Sequence, residues 1–332
     1  MPDVTSVPVE ITPEEELLLT SLRVKEWAAF YGQPQVKQSL QIAIQAARAR
    51  QEAVDHILLY GPPGLGKTTL SHLIAREMGS TIRITSGTAL AKTGDLAAIL
   101  TNLETADVLF IDEIHRLNKP IEEMLYSAME DYALDIVIGK GPSARTVRID
   151  LPHFTLVGAT TRFGLLSGPF RDRFGVIHRL QYYEPAELLH ILTQAAEKLD
   201  IKLNPDTALE IARRARGTPR IALKLLKRVR DYAQIKNGGH VSVETVLKAL
   251  ELTTVDSLGL TDADRRFLQV IIEKHKGGPV GLSTIAATLN EDPLTIEEVI
   301  EPYLMQVGFL KKTPQGRVIS EAAFAHLDLP SD

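Results

Sequence analysis

A short apolar run, His56-Ile57-Leu58-Leu59-Tyr60, passes directly into Gly61-Pro62-Pro63-Gly64-Leu65-Gly66-Lys67-Thr68. An apolar run bounded by Gly and Pro reads as a buried strand. The segment behind it matches GxxxxGK(S/T), whose glycines let backbone N–H groups turn inward around a phosphate chain. In that setting Lys67 reaches the terminal phosphates and the Thr68 hydroxyl ligates Mg²⁺. A chain with this junction is expected to fold as a sheet whose strand ends face a helix N-terminus, and to bind nucleotide there.

The strand pattern recurs at Val108-Leu109-Phe110-Ile111 and at Phe154-Thr155-Leu156-Val157, with helical stretches at about 67–78 and 120–132 between them. An amphipathic helix from Pro34 to Ala53 precedes the first strand. Such alternation predicts an α/β fold with a parallel sheet covered by helices. The second strand ends in Asp112-Glu113, and parallel sheets bind ligands at that end. Asp112 can hold the Mg²⁺ shell through water, while Glu113 polarises a water for attack on the γ-phosphate. The pair favours hydrolysis over transfer to a small acceptor. From about 133 to 150, two short strands around Gly139-Lys140-Gly141-Pro142 predict an inserted β-hairpin.

Helices dominate from Tyr183 to about 252. A helix near 263–275, stretches at 283–289 and 294–306, and a hairpin around Thr313-Pro314-Gln315-Gly316 then give the pattern of a winged helix-turn-helix. The expected divisions are an acidic arm (1–20), an ATPase domain (21–182), a small all-α unit (183–255) and a winged-helix domain (256–332). Net charge decides little here. The 37 Lys+Arg against 42 Asp+Glu leave −5, yet residues 213–230 hold eight basic side chains and no acid, and 302–320 hold Lys311, Lys312 and Arg317 and no acid. The first run reads as a solvated face. Zero cysteines exclude disulfides and thiolate chemistry and suit a reducing compartment. The acidic start is unlike a targeting peptide and no apolar run suffices for a membrane span. A cytoplasmic protein is expected.

GPPGLGKT, LFIDEIHRL at 109–117, MEDY at 129–132, GATTR at 158–162, RDRFG at 171–175 and RRARGTPRIA at 213–222 together resemble the RuvB family of AAA+ ATPases, which drive Holliday junction branch migration. The hairpin LDIVIGKGPSARTVRIDLP at 134–152 and the tail are the most specific parts of the resemblance. It implies a P-loop AAA+ core with a parallel sheet and an inserted hairpin, an all-α lid and a winged helix. ATP and Mg²⁺ are the implied cofactors. Gly64, Gly66, Lys67, Thr68 and Thr69 would cradle the phosphates. Leu22, Arg23 and Tyr183 would line the base and ribose, and Glu130, Asp131 and Tyr132 another nucleotide-adjacent segment. Thr161 would be the polar sensor at the third strand's end, with Thr160 as its alternative. Arg173 would be an arginine finger for the next subunit, and Arg220 the sensor that ties the lid to the phosphates.

The same resemblance implies a homo-oligomeric, hexameric ring acting on duplex DNA and four-way junctions. Lys312 and Arg317 would contact DNA. Ile136, Val137 and Ile138 would meet a RuvA-like junction-binding partner, alongside a RuvC-like resolvase. Two departures stand out: Gln315 where the family usually has arginine (RTPRGR), and Val24 where it has proline. Two rival classes are an ATP-switched DNA regulator and a protein-threading chaperone. The latter is disfavoured because Thr85-Ser86-Gly87-Thr88 offers no aromatic pore residue.

Overall fold

The apolar runs form the inner strands of one sheet. The computed structural model describes residue 17, residues 20–138 and residues 145–327, so the expected acidic arm falls outside the described residues except at positions 17 and 20. Two compact units are distinguished: Leu17–Ile191 with Gly217–Arg220, and a second from Leu192–Arg216 and from Ile221 onward.

In the first unit, helix α1 (Pro34–Arg50) leads to β1 (Ile57–Tyr60), α2 (Lys67–Met78), β2 (Ile82–Ser86), α3 (Thr93–Leu100) and β3 (Val108–Asp112). Then come α4 (Lys119–Glu130), the hairpin β4 (Ala133–Ile138) and β5 (Arg145–Asp150), β6 (Thr155–Thr160), the short α5 (Gly168–Arg171) and β7 (Val176–Arg179). Five strands form a parallel sheet ordered β2-β3-β6-β1-β7. Because β1 pairs with β6 and β7 rather than with β2, the loop after β1 opens beside the ends of β3 and β6, where α/β sheets place ligands. The core under the sheet gathers Leu58, Leu109, Ile111, Leu125, Phe154 and Phe170, all fully buried.

The expected inner strands and the helix over 67–78 are present. Strands β2 and β7 and helix α3 were not expected. Both strands are sheet edges, with side chains only partly buried, so they lack the continuous apolar signature of the inner strands. Helix α1 stops at Arg50 rather than Ala53, because Gln51 turns left-handed (φ 58°) and caps it with an N–H to Ala47 and Arg48 carbonyls. The inserted hairpin is a separate two-stranded sheet, antiparallel from Ala133↔Asp150 to Ile138↔Arg145, and joins none of the five strands. Its expected turn at Gly139–Pro142 lies outside the described residues.

At the entry to β1, buried His56 binds two other elements. Its Nε2 lies 3.1 Å from the Met129 carbonyl and its Nδ1 accepts the Leu156 N–H at 2.9 Å. Burial lowers its pKa, so the imidazole stays neutral and can hold both bonds. The strand starts and the C-terminal end of α4 are thereby fixed together.

The second unit carries the helical segment and the winged helix: α6 (Pro185–Lys198, from Leu192), α7 (Pro205–Arg213), α8 (Pro219–Lys236, from Ile221), α9 (Val243–Glu251), α10 (Asp262–His275) and α11 (Leu282–Leu289). Beyond α12 (Pro293–Thr295), a π turn (Ile296–Ile300) and α13 (Glu301–Gln306), the antiparallel wing β8 (Leu310–Thr313) and β9 (Gly316–Ile319) precedes α14 (Glu321–His326). The winged-helix expectation holds. Among the described residues no helix is long and apolar enough to cross a membrane.

In the basic run at 213–230, Arg213 and Arg228 are exposed as a solvated face requires, but Arg214, Arg216 and Arg230 depart from it. Arg214 is 11% exposed and pairs with Glu210, Arg230 pairs with Asp231, and Arg216 reaches across the expected boundary at residue 256. Its Nη2 pairs with Asp264, its Nε donates to the Gly259 carbonyl at 2.7 Å, and its guanidinium lies 4.7 Å from the Tyr303 ring centroid. Asp264 is 1% exposed and also caps α10, accepting the Thr261 N–H at 2.7 Å. Asp264→Ala leaves a buried guanidinium without its counter-charge, a change that typically costs about 3–5 kcal/mol. Thr261→Ala, which removes only a cap hydroxyl, should cost about 1 kcal/mol. Denaturant unfolding of the two variants checks this order, and equal losses would show that the ion pair contributes no more than the cap.

Candidate functional site

Each side chain of the nucleotide motif is set by the backbone around it. Gly61, Gly64 and Gly66 have φ of 139°, 78° and 98°, a region L side chains rarely enter. At Gly64 space is short as well: an added Cβ would lie 2.7 Å from Thr218 Cγ2 and 2.9 Å from Arg220 Cβ. The loop bends back over the start of α2, where Lys67 is buried and donates from Nζ to the Gly61 and Pro62 carbonyls at 2.8 and 2.9 Å. Burial lowers its pKa and the neighbouring Arg220 adds to this, while Glu113 and Asp112 act against it. Lys67, the two carboxylates and Arg220 thus share one electrostatic neighbourhood. Thr68 and Thr69 follow on the first turn of α2, half-buried.

Asp112 ends β3, and its Oδ1 accepts the Glu113 N–H at 3.0 Å. Glu113 has φ 46°. A non-glycine residue in this left-handed region costs on the order of 1–3 kcal/mol, and such strain clusters at functional sites. The bend leaves the carboxylate one-third exposed. Thr161 Oγ1 donates to Glu113 Oε2 at 3.1 Å. Thr160, the alternative sensor, is fully buried; its Oγ1 accepts the Arg162 N–H and lies 2.9 Å from His115 Nδ1. His115 Nδ1 is also 3.2 Å from Glu113 Oε2. Sequence reasoning missed His115, although it lies two residues past the acidic pair in LFIDEIHRL.

Tyr183 is buried beneath the loop. Its hydroxyl donates to the Leu65 carbonyl at 3.3 Å, its N–H donates to Gly217 at 2.8 Å, and burial raises its pKa. Leu22 is buried, and Arg23 lies close enough to His72 of α2 to add to the burial that lowers that imidazole. Gly217–Arg220 belongs with this unit, and the Arg220 N–H approaches the Gly64 carbonyl at 3.4 Å. The residues expected around phosphates and base therefore come together.

The remaining nucleotide-adjacent residues lie elsewhere. Arg173 pairs with Glu130 at 3.0 Å, donates to the Pro169 carbonyl at 2.6 Å and sits 4.2 Å from the Tyr126 ring centroid. Its Nε is buried with no hydrogen-bond partner among the described residues. Asp131 lies 3.6 Å from Arg148, and Tyr132 packs on His153 with ring centroids 4.0 Å apart. His56 joins the Met129 carbonyl and receives the Val176 N–H on its own carbonyl at 3.1 Å. Residues 129–132 and 173–176 thus cluster at the start of β1, and the glycine loop follows its end. Four residues of strand separate them by about 13 Å.

At the hairpin, Ile136 is half-buried against the ATPase core, and its cross-strand partner Val147 is 41% exposed. Val137 and Ile138 pair with Thr146 and Arg145. On the wing, Lys312 and Arg317 are opposite each other, and Lys311, opposite Val318, points to the other face. Both expected DNA contacts are already ion-paired. Lys312 Nζ lies 2.6 Å from Glu301, and Arg317, 15% exposed, reaches Glu301 at 2.7 Å and Glu297 at 3.2 Å.

The sequence matches three family models: the Holliday junction DNA helicase RuvB P-loop domain over residues 22–180, the RuvB AAA lid domain over 183–256 and the RuvB C-terminal winged helix domain over 257–328. Among solved structures, the Thermotoga maritima RuvB Holliday junction branch migration motor is 50% identical and has a TM-score of 0.86, covering 94% of this chain and 99% of that one. A single-substitution variant of the Thermotoga protein gives 50% identity and 0.87 over 94% and 100%.

The bond from Thr161 to Glu113 yields a separable effect. Lys67→Ala should abolish ATP turnover. Thr161→Val should lower kcat by about 10²-fold, the loss typical of one oriented donor, while nucleotide affinity stays within about threefold. Single-turnover hydrolysis beside equilibrium nucleotide titration measures both, and an unchanged kcat would remove Thr161 from the site.

Proposed function

The chain belongs to the RuvB family, and from that premise we propose that it is an ATP-driven motor that moves duplex DNA and migrates four-way junctions as a homo-hexameric ring. The RuvB-type P-loop domain implies ATPase activity. What carries the ring reading is the position of Arg173, at the opposite end of β1 from the glycine loop of its own chain. A finger there serves a neighbour's nucleotide, and Glu130, Asp131 and Tyr132 would approach that nucleotide with it.

Within one chain the roles divide by position. The loop amides and Lys67 hold the phosphates, Leu22, Arg23 and Tyr183 border the base and ribose, and Arg220 senses the phosphates from the Gly217–Arg220 segment. The positive-φ glycines and the buried lysine, bonded to the Gly61 and Pro62 carbonyls, fit a triphosphate cradle. Thr68 and Asp112, the latter through water, would hold Mg²⁺, which supplies positive charge to the phosphate oxygens. Glu113 takes up a proton from the attacking water, and Thr161 fixes the direction of its carboxylate. Arg220 passes the state of the site to the lid, and the attached winged helix moves duplex through Lys312 and Arg317. Ile136, Val137 and Ile138 of the hairpin meet a RuvA-like protein, and a RuvC-like resolvase consumes the junction. The work takes place in the cytoplasm.

Two measurements test the reading. On a synthetic four-way junction, the chain with a RuvA-like partner and ATP should convert junction into separated duplexes, with DNA-stimulated turnover; turnover without junction movement would make it an ATP switch. Arg173→Ala and Glu113→Gln chains, each inactive alone, should recover part of the ATPase rate when mixed. Mixed rings that form and show no recovery would overturn the action of Arg173 across subunits.

A further inference from the structure

Lys312 and Arg317 face each other across the wing, and like charges directly opposite destabilise a strand pair. Glu301 relieves this. Its carboxylate is 1% exposed, with Lys312 Nζ 2.6 Å from Oε2 and Arg317 Nε 2.7 Å from Oε1. The Arg317 backbone is fixed as well, exchanging hydrogen bonds with Val280 at 2.8 and 3.0 Å. A buried carboxylate bonded to two cations on a pinned strand is a permanent counter-charge.

A second carboxylate stands outside the first. Glu297 Oε1 lies 3.2 Å from Arg317 Nη2 and 3.7 Å from Lys312 Nζ, and its side chain is 40% exposed. The helix between Glu297 and Glu301 is opened into a π turn, Ile296–Ile300. Pro302 accounts for the opening: it offers no N–H to the Glu298 carbonyl and its ring crowds that carbonyl. π turns are rare and frequent at functional sites. The charges cancel, with two cations against two carboxylates.

A carboxylate oxygen bound to arginine at the solvent side presents the same acceptor and sign of charge as a phosphate oxygen. We propose that Glu297 is an intramolecular competitor for DNA phosphate, covering the Lys312–Arg317 pair until duplex displaces it, while Glu301 remains in place. The inference rests on the reading that this pair contacts DNA. With Glu297 in place the cluster is neutral; with Glu297 displaced it carries one net positive charge.

The experiment titrates full-length protein against a fluorescently labelled duplex of arbitrary sequence from 50 to 200 mM salt. Glu297→Gln should tighten binding about two- to fivefold per engaged wing at low salt, the range spanned by a half-exposed ion pair. The slope of log K against log salt should steepen by about 0.9 per engaged wing. Glu273→Gln, the same formal charge change at an exposed site on α10, should do neither, and Lys312→Ala should erase the gain from Glu297→Gln. If Glu297→Gln changes nothing, or Glu273→Gln matches it, while Lys312→Ala still weakens binding, the competitor is overturned and the wing contact stands. If Lys312→Ala alters neither affinity nor slope, the reading of the wing as a DNA contact fails and takes the competitor with it.

Discussion

A buried ammonium organises the nucleotide unit. Lys67 loses much of its hydration, and the loop carbonyls of Gly61 and Pro62 replace it at 2.8 and 2.9 Å. Those carbonyls can point inward only because Gly61, Gly64 and Gly66 take backbone conformations closed to other residues. The same requirement admits Thr218 and Arg220 against Gly64, where a side chain would collide. Asp112 and Glu113 then stand where their charge favours the protonated lysine. Substituting the loop therefore disturbs the lysine, the carboxylates and the Gly217–Arg220 segment together.

Strand β1 separates two kinds of chemistry. Its C-terminal end feeds the cradle, and its N-terminal end, joined to α4 and β6 through His56, supports Glu130 and Arg173. A four-residue strand cannot let one guanidinium serve both ends. On the proposed reading the ring follows from this rather than from any special adhesiveness of the surface: each chain holds half of two sites and completes neither alone.

Much of this was legible in the residues. Inner strands, cradle and winged helix all leave periodic or stereochemical marks, because burial on both faces demands apolar runs and a phosphate cradle demands glycine. Edge strands β2 and β7 left weaker marks, since partly exposed strands tolerate Arg83, His178 and Arg179. The choice between Thr160 and Thr161 was beyond the sequence. Thr160 ends β6 and Thr161 lies just beyond it, and only the fold shows Thr160 beside His115 and Thr161 on Glu113. Charge was the least legible property. A basic run free of acids in sequence acquires Glu210, Asp231 and Asp264 in space, and the wing acquires Glu297 and Glu301.

Pairing with carboxylates changes what a basic wing can do. Three cations all free to meet phosphate would give a salt slope of about −2.7; two of them are committed to carboxylates and Lys311 is on the opposite face. Each wing is then a weak handle. For a protein that only holds DNA this would be a defect. On the proposed reading, however, a motor must let go of every phosphate it takes, and a ring would supply several wings at high effective concentration, so that the ensemble would stay bound while single contacts exchange. Contacts to phosphate carry no base preference, which suits movement along arbitrary sequence. Gln315, where the family usually has arginine, lies in the exposed turn of this wing and lowers its charge further, which on the proposed reading would favour faster release at each step rather than loss of grip by the whole ring.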